Sequence, residues 1–270
     1  MNSKSGFSLY LLFLLSCGAP TQDENLSIFR YNQASEIGSL DPTFAKDQAT
    51  IWACNQLFNG LVQLNENLEV IPSIAKSWKI SEDAKHYTFY LRTDVSFHNH
   101  ELLKENRMVV ASDFTYSFNR LRSKELASPG AWVLANIKSY YATNDSTFEI
   151  QLKNPFPPFL GLLSMQYCSV VPKEIVENTN FREHPIGTGP FHFQYWKEGV
   201  KLVFRKNPNY FEKQNGEHLP FLDAVAITFI KDKQAAFLEF LKGNLDFISG
   251  IDASYKDEVL YRDGTLNKKY

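Results

Sequence analysis

Polar and apolar positions alternate with a period of two at several places along the chain. Tyr87, Phe89 and Leu91 alternate with Thr88, Tyr90 and Arg92, and Phe148, Ile150 and Leu152 with Glu149, Gln151 and Lys153. Phe191, Phe193 and Tyr195 repeat the pattern, as do Val225, Ile227 and Phe229. Side chains of a strand point alternately to its two faces, so each run predicts a half-buried β-strand. Turn residues stand at the strand starts: Asn144-Asp145, Gly189-Pro190 and Pro220. Other stretches change to a helical period. Phe114, Phe118 and Leu121 share one helix face, with Ser112 or Asp113 as the expected N-cap. Ala236, Phe237, Phe240 and Leu241 form a second apolar face, capped by Asp232, with Lys242 in the last turn and Gly243 as the stop. Residues 48–57 predict a third helix. Strands and helices interleave without an internal repeat, so the chain falls in the α/β or α+β class.

One apolar stretch follows neither period. Residues 7–15 (FSLYLLFLL) come after Lys4 and are too short to span a bilayer, which fits a secretory signal. The stretch ends at Ser16-Cys17, which resembles a bacterial lipobox. The resemblance implies cleavage after residue 16, a diacylglycerol on Cys17, and a flexible polar tether over residues 17–25.

The 270 residues suffice for one large or two ordinary domains after a signal is removed. The chain is 44% hydrophobic, enough for a sizeable core. Its 22 Phe and 13 Tyr suit a pocket with aromatic walls. A formal net charge of -2 gives no basic footprint for nucleic acid. Beside Cys17, the cysteines are Cys54 and Cys168. A disulfide suits an exported pair, but both lie among apolar residues at no metal-binding spacing, and two free thiols are expected.

Readings as an enzyme find little support. The sequence has no Gly-x-Ser-x-Gly elbow and no His-Glu-x-x-His. Glu82 and Asp83 are adjacent in a turn and would point apart, unlike a working carboxylate pair. His98-Asn99-His100 has no evident third ligand and is read as structural. Gly187 and Gly189 lack the spacing of a phosphate loop; they predict a tight turn into the Phe191 strand, with glycine chosen for positive φ. Asn207-Pro208-Asn209-Tyr210 predicts another turn. No catalytic residue, cofactor or metal site is expected.

The blocks of residues 36–247 then occur in a recognisable order. They are EIGSLDP (36–42), LFNGLV (57–62), PSIAKSWKISEDAKHYTFYLRTDVSFHN (72–99), ASDFTYSFNRL (111–121), VVPKEIV, PIGTGPFHFQYWKEG, RKNPNYF, LPFLDAV and KGNLD (242–246). Together they resemble family 5 of the bacterial extracellular solute-binding proteins, the peptide-binding components of ABC importers. Trp78 and the strand over residues 87–92 are read as core and sheet edge.

The resemblance implies a periplasmic-binding-protein type II-like lobe of α/β class with an inserted α+β domain, the second lobe missing from this chain. The implied division is residues 1–16 signal, 17–25 tether, 26–44 and 185–270 lobe, and 45–184 inserted domain. It implies that the chain is the N-terminal portion of a longer protein. It also implies a monomeric, membrane-anchored lipoprotein of the periplasm or cell envelope. Such a protein binds a peptide between closing lobes and passes it to an ABC permease and its ATPase, with no chemistry of its own. Other cargo within the fold (a nickel chelate, haem, an opine or a sugar oligomer) and a role as anchored sensor or chaperone stay open.

Four residues are candidates for ligand contact. Glu36 either accepts backbone N–H groups or balances a ligand charge, or it is a solvated loop carboxylate. Trp132 either stacks on the ligand or lies in the core. Tyr31 and Asn32, at the end of the first strand, complete the set.

Overall fold

In the computed structural model, residues 26–269 are described. The signal, Cys17 and the rest of the tether lie outside them. Four strands form a mixed sheet: β1 (Ile28–Asn32), β8 (Phe191–Lys197), β9 (Lys201–Lys206) and β12 (Ala224–Thr228), in the order β1-β12-β9-β8. β1 runs parallel to β12, with Tyr31 opposite Ile227, although nearly the whole chain separates them. β12 pairs antiparallel with β9, and β9 with β8. A second sheet is wholly antiparallel: β4 (Ala75–Ile80), β5 (His86–Leu91), β6 (Ile137–Asn144) and β7 (Thr147–Leu152), in the order β4-β5-β7-β6. Two small hairpins accompany them, β2 (Val62–Leu64) with β3 (Val70–Pro72), and β10 (Lys213–Gln214) with β11 (Glu217–His218).

Three helices stand where the 3.6-residue period places them. α1 spans Gln48–Leu57, with the Asp47 carboxylate accepting from the Thr50 N–H at 3.0 Å. α2 spans Ala111–Arg122 and buries Phe114, Phe118 and Leu121. Its N-cap is Val110, not Ser112 or Asp113. Asp113 sits three residues inside and reaches back to accept from the Val110 N–H at 2.9 Å, the return half of a capping box. α3 (Phe159–Leu163), α4 (Lys173–Val176) and α6 (Lys256–Val259) are single turns. α5 (Lys233–Leu241) is capped by Asp232, which accepts from the Ala235 N–H at 2.7 Å, and is followed by Gly243 at φ 75°.

Two apolar clusters form. One holds the antiparallel sheet, α2 and α3, with Phe89, Phe114, Phe118 and Phe148 fully buried. The other packs α1 and residues 171–181 against the mixed sheet, around Leu57, Leu202, Phe204 and Ile227. Cys54 belongs to the second cluster and Cys168 to the first; both are free and buried. Burial pushes both thiols up, Cys168 to about 12, and the carboxylates of Asp41 and Asp47 add to the effect at Cys54.

Three strands differ from expectation. In β8 a register shift between Phe193 and Tyr195 leaves Tyr195 exposed rather than on the face of Phe191. β5 lies inside its sheet, between β4 and β7, rather than at an edge. β12 is buried at Ala224, Val225, Ala226 and Ile227 alike, so it is not half-exposed. It lies between β1 and β9, and the small alanines occupy the face where polar residues were expected.

Gly187 and Gly189 owe their identity to close approach, not to positive φ. A Cβ on Gly187 would stand 2.0 Å from the Leu57 carbonyl oxygen, and one on Gly189 2.5 Å from the Leu57 carbonyl carbon. The chain enters β8 here, flat against the end of α1, and the Gly189 N–H donates to the Leu57 carbonyl at 2.9 Å.

Candidate functional site

The C-terminal end of β1 opens into the loop of residues 33–47, which carries Glu36. Asn32 anchors the loop's start. Its amide donates to the Ile230 carbonyl at 3.0 Å and accepts the Ile230 N–H at 2.8 Å. The Gln33 N–H donates to the Thr228 carbonyl at 2.8 Å. Asn32 therefore spends its side chain on the end of β12. Tyr31 is buried, its ring centroid 5.9 Å from that of Phe29, and burial pushes its hydroxyl up to about 12. Phe247 forms a parallel bridge to Tyr31, covering the outer edge of β1.

Glu36 is exposed and pairs with Lys231 at 2.6 Å, a residue beyond the same β12 end that Asn32 holds. Such an exposed pair contributes at most about 1 kcal/mol, so both groups remain available to a third charge.

The loop's middle is fixed from the other cluster. The Asp41 carboxylate accepts two hydrogen bonds from the Arg120 guanidinium on α2, one of them at 2.8 Å. Arg120 also donates to the Thr43 hydroxyl, and its guanidinium lies 5.7 Å from the centre of the Phe181 ring. Asp41 and Arg120 are both largely buried, so each supplies the countercharge that makes burial of the other tolerable. Asp41 also caps the short turn Pro42–Phe44 by accepting from the Thr43 N–H at 3.0 Å.

From Thr43 the contacts continue to the segment carrying Trp132. The Ser128 hydroxyl donates to the Thr43 carbonyl at 2.7 Å and accepts the Gly130 N–H at 3.0 Å. Gly130 lies flat on the Tyr167 ring, where a Cβ would stand 2.2 Å from the ring carbon. Trp132, in the short turn Ala131–Leu134, is 55% exposed, so it is not a core tryptophan. Glu36 and Trp132 are thus exposed residues of the loop and of the segment that these hydrogen bonds tie together, while Tyr31 and Asn32 support the start of the loop.

Sequence reading missed the middle of this path. Asp41, Thr43, Arg120 and Ser128 were legible only as helix or loop residues. An aspartate before proline signals a turn cap, but nothing in the linear order pairs it with an arginine 79 positions away. Equally hidden was a polar knot at the entry to β8. Asn59 accepts from the Thr188 hydroxyl at 3.0 Å and donates to the Tyr210 hydroxyl at 3.2 Å. His98, read as structural, donates through Nε2 to the Gly189 carbonyl at 3.0 Å and accepts the Gly187 N–H at Nδ1 at 3.2 Å. Burial lowers its pKa to about 4, so it is the neutral imidazole that holds the turn. His100 serves its own loop, accepting the Leu102 N–H at 3.1 Å.

The sequence profile described as "Bacterial extracellular solute-binding proteins, family 5 Middle" matches residues 69–269. The dipeptide-binding protein of Escherichia coli (strain K12) is 27% identical over 208 residues, covering 69% of this chain and 37% of that protein. The periplasmic binding protein DppA of Helicobacter pylori, solved with the peptide STSA, superposes with a TM-score of 0.78 at 27% identity, covering 86% of this chain and 48% of that one. NikZ of Campylobacter jejuni, solved with Ni(L-His), superposes with a TM-score of 0.72 at 29% identity, covering 84% and 44%. The chain spans about half the length of the curated relatives it matches, and over that span it has the α/β fold of type II periplasmic binding proteins.

Proposed function

Since this chain belongs to the family 5 bacterial extracellular solute-binding proteins, we propose that it serves as the peptide-capturing component of an ABC importer. It holds a short peptide against the face between Glu36 and Trp132 and presents it to a permease. The observation that carries this reading is the way Glu36 is displayed. The loop beneath it is fixed at both ends, to β12 through Asn32 and to α2 through Asp41, while the carboxylate itself stays in solvent. A preorganised carboxylate of this kind suits backbone N–H groups or an α-ammonium, which every peptide has whatever its side chains. Trp132 adds an aromatic surface at the far end.

The proposal includes the division of the chain into a lobe of residues 26–44 and 185–270 around an inserted domain of 45–184. α1 and residues 171–181 form the packed seam between them. It also includes the anchor: a lipid on Cys17 and a tether to residue 25 would hold the protein at a membrane of the cell envelope as a monomer. Transport energy then comes from the ATPase partner, and the binding protein transforms nothing. A nickel chelate is the second reading, favoured by the similarity to the Ni(L-His)-bound neighbour.

Titration of the full, isotopically labelled chain with Ala-Ala-Ala tests the first reading. Amide resonances of residues 36–39 and the Trp132 indole should shift together and saturate. Glu36→Gln should weaken that response by about tenfold, the scale of a charge-assisted hydrogen bond, at unchanged folding stability. A chain that ignores the peptide and responds to nickel–histidine instead would establish the second reading.

A further inference from the structure

The loop that carries Glu36 also carries Ala45, on the wall of a cavity of about 460 Å³. Its opposite walls come from α1, from β2 and Ser73, and from residues 164–169, including the Tyr167 ring on which Gly130 rests. The cavity therefore adjoins the Glu36 loop at Ala45 and the Gly130 segment at Tyr167.

Its chemistry is distinctive. No Asp, Glu, Lys, Arg or His lines it among the described residues. Carboxamides and hydroxyls do, with Asn55, Gln63, Gln166 and Ser73 among the polar groups at its walls. Several are already oriented by partners. Gln166 donates to the Asn55 carboxamide oxygen and accepts from the Ser169 hydroxyl at 3.2 Å. Gln63 donates to Glu212 at 2.6 Å, which turns its own oxygen away from that carboxylate. This pattern leaves the Asn55 N–H₂ and the Gln63 oxygen as a donor and an acceptor.

Ser73 supplies the second, independent observation. The residue is only 2% exposed, yet its hydroxyl has no hydrogen-bond partner among the described residues. Its backbone position is set by its neighbours, with the Ile74 N–H on the Gly60 carbonyl at 3.2 Å and the Ala75 N–H on the Leu61 carbonyl at 2.9 Å. A buried hydroxyl without a partner is costly, and such groups in native proteins are normally satisfied by protein, water or ligand.

We propose that this cavity is a ligand subsite selective for an uncharged, hydrogen-bonding group, a carboxamide or a hydroxyl, completed at Ser73. A wall of neutral dipoles can pair both donor and acceptor of such a group. It offers no countercharge to a carboxylate or an ammonium, whose desolvation would then go uncompensated. The inference rests on the peptide reading for the source of that group, a glutamine-like side chain; a sugar hydroxyl is the other source.

Titration of the full chain with Ala-Gln-Ala, Ala-Glu-Ala, Ala-Lys-Ala and, separately, maltose decides between them. Ala-Gln-Ala should shift residues 36–39 together with the side-chain amides of Asn55 and Gln166, and bind about tenfold more tightly than its Glu and Lys analogues. Ser73→Ala should remove most of that preference while leaving the response to Ala-Ala-Ala intact. Loss of a buried, unpaired hydroxyl should leave the fold at least as stable, so a null result cannot be blamed on unfolding. Equal entry of the charged peptides into the cavity, or an undiminished glutamine preference in Ser73→Ala, overturns the subsite. Shifts at residues 36–39 with none at Asn55 or Gln166 overturn the subsite and spare the peptide reading. Cavity shifts with maltose alone support the subsite and overturn the peptide reading.

Discussion

His98 shows how one residue can set a pH limit on the fold. Its imidazole accepts the Gly187 N–H and donates to the Gly189 carbonyl, so both ring nitrogens are engaged and only the neutral form fits. His192, its nearest titratable neighbour with ring centroids 6.2 Å apart, adds a repulsive charge when protonated. In the folded chain His98 stays neutral down to about pH 4, whereas the unfolded side chain takes up a proton near 6.5. The unfolded state therefore binds more protons within that window. The contribution of neutral His98 is complete above pH 6.5 and is lost as the pH falls from 6.5 towards 4, at a cost on the order of 3 kcal/mol. Urea unfolding at pH 7 and pH 4.5 should show a smaller loss of stability in His98→Gln than in the parent chain. Equal losses would mean that the buried imidazole is not the acid-sensitive group. His98 was legible as structural because it stands inside a strongly patterned block. Its partners were not, since the two glycines lie about 90 positions away.

At the scale of elements, the entry of the chain into β8 depends on two missing side chains. Gly187→Ala would bring a methyl group to 2.0 Å from the Leu57 carbonyl oxygen, which belongs to backbone and cannot swing aside. β8 would have to leave α1, giving up the Gly189 to Leu57 hydrogen bond. The expected loss is about 3 kcal/mol, at the upper end for overpacking, measured as a lowered urea midpoint with unchanged slope. An alanine variant of normal stability would disprove the close-approach account. The linear pattern gave the turn but the wrong reason for its glycines, because a φ preference is local and a close approach is not. The same contrast runs through the rest of the fold. α1, α2, α5 and the four alternating strands were legible, since 3.6- and 2-residue periods are properties of short windows. Sheet order was not: β1 joins β12 across most of the sequence, and β5 turned out to be interior. At the candidate site, Glu36 and Trp132 were found at exposed positions, whereas Asn32 proved to be a clasp and Tyr31 a buried support.

The whole molecule is two cores that share Leu103 and Ile186 at their boundary and are tied by polar contacts, among them the largely buried ion pair of Arg120 with Asp41. Its position gives it two roles at once. It ties α2 of one cluster to the loop beneath Glu36, and through Thr43 and Ser128 it sets the segment that carries Trp132. Removing one partner leaves the other charged, buried and alone, which typically costs about 3–5 kcal/mol. Arg120→Ala should therefore destabilise the chain by about that amount. The loss should not be uniform. Hydrogen exchange should accelerate first at Thr43, Phe44 and Gly130, whose N–H groups are held along this path. The amides of β5 and β7, deep in the antiparallel sheet, should keep their relative protection. A double substitution, Arg120→Met with Asp41→Leu, separates charge from architecture: it should recover much of the stability, because an apolar pair needs no countercharge. It should not recover the response of residues 36–39 to Ala-Ala-Ala, because the capping of the Pro42–Phe44 turn is lost with Asp41. If Arg120→Ala exchanges uniformly across both sheets, or if the double variant binds peptide like the parent, the pair is only one buried salt bridge among others and the display of Glu36 has another support.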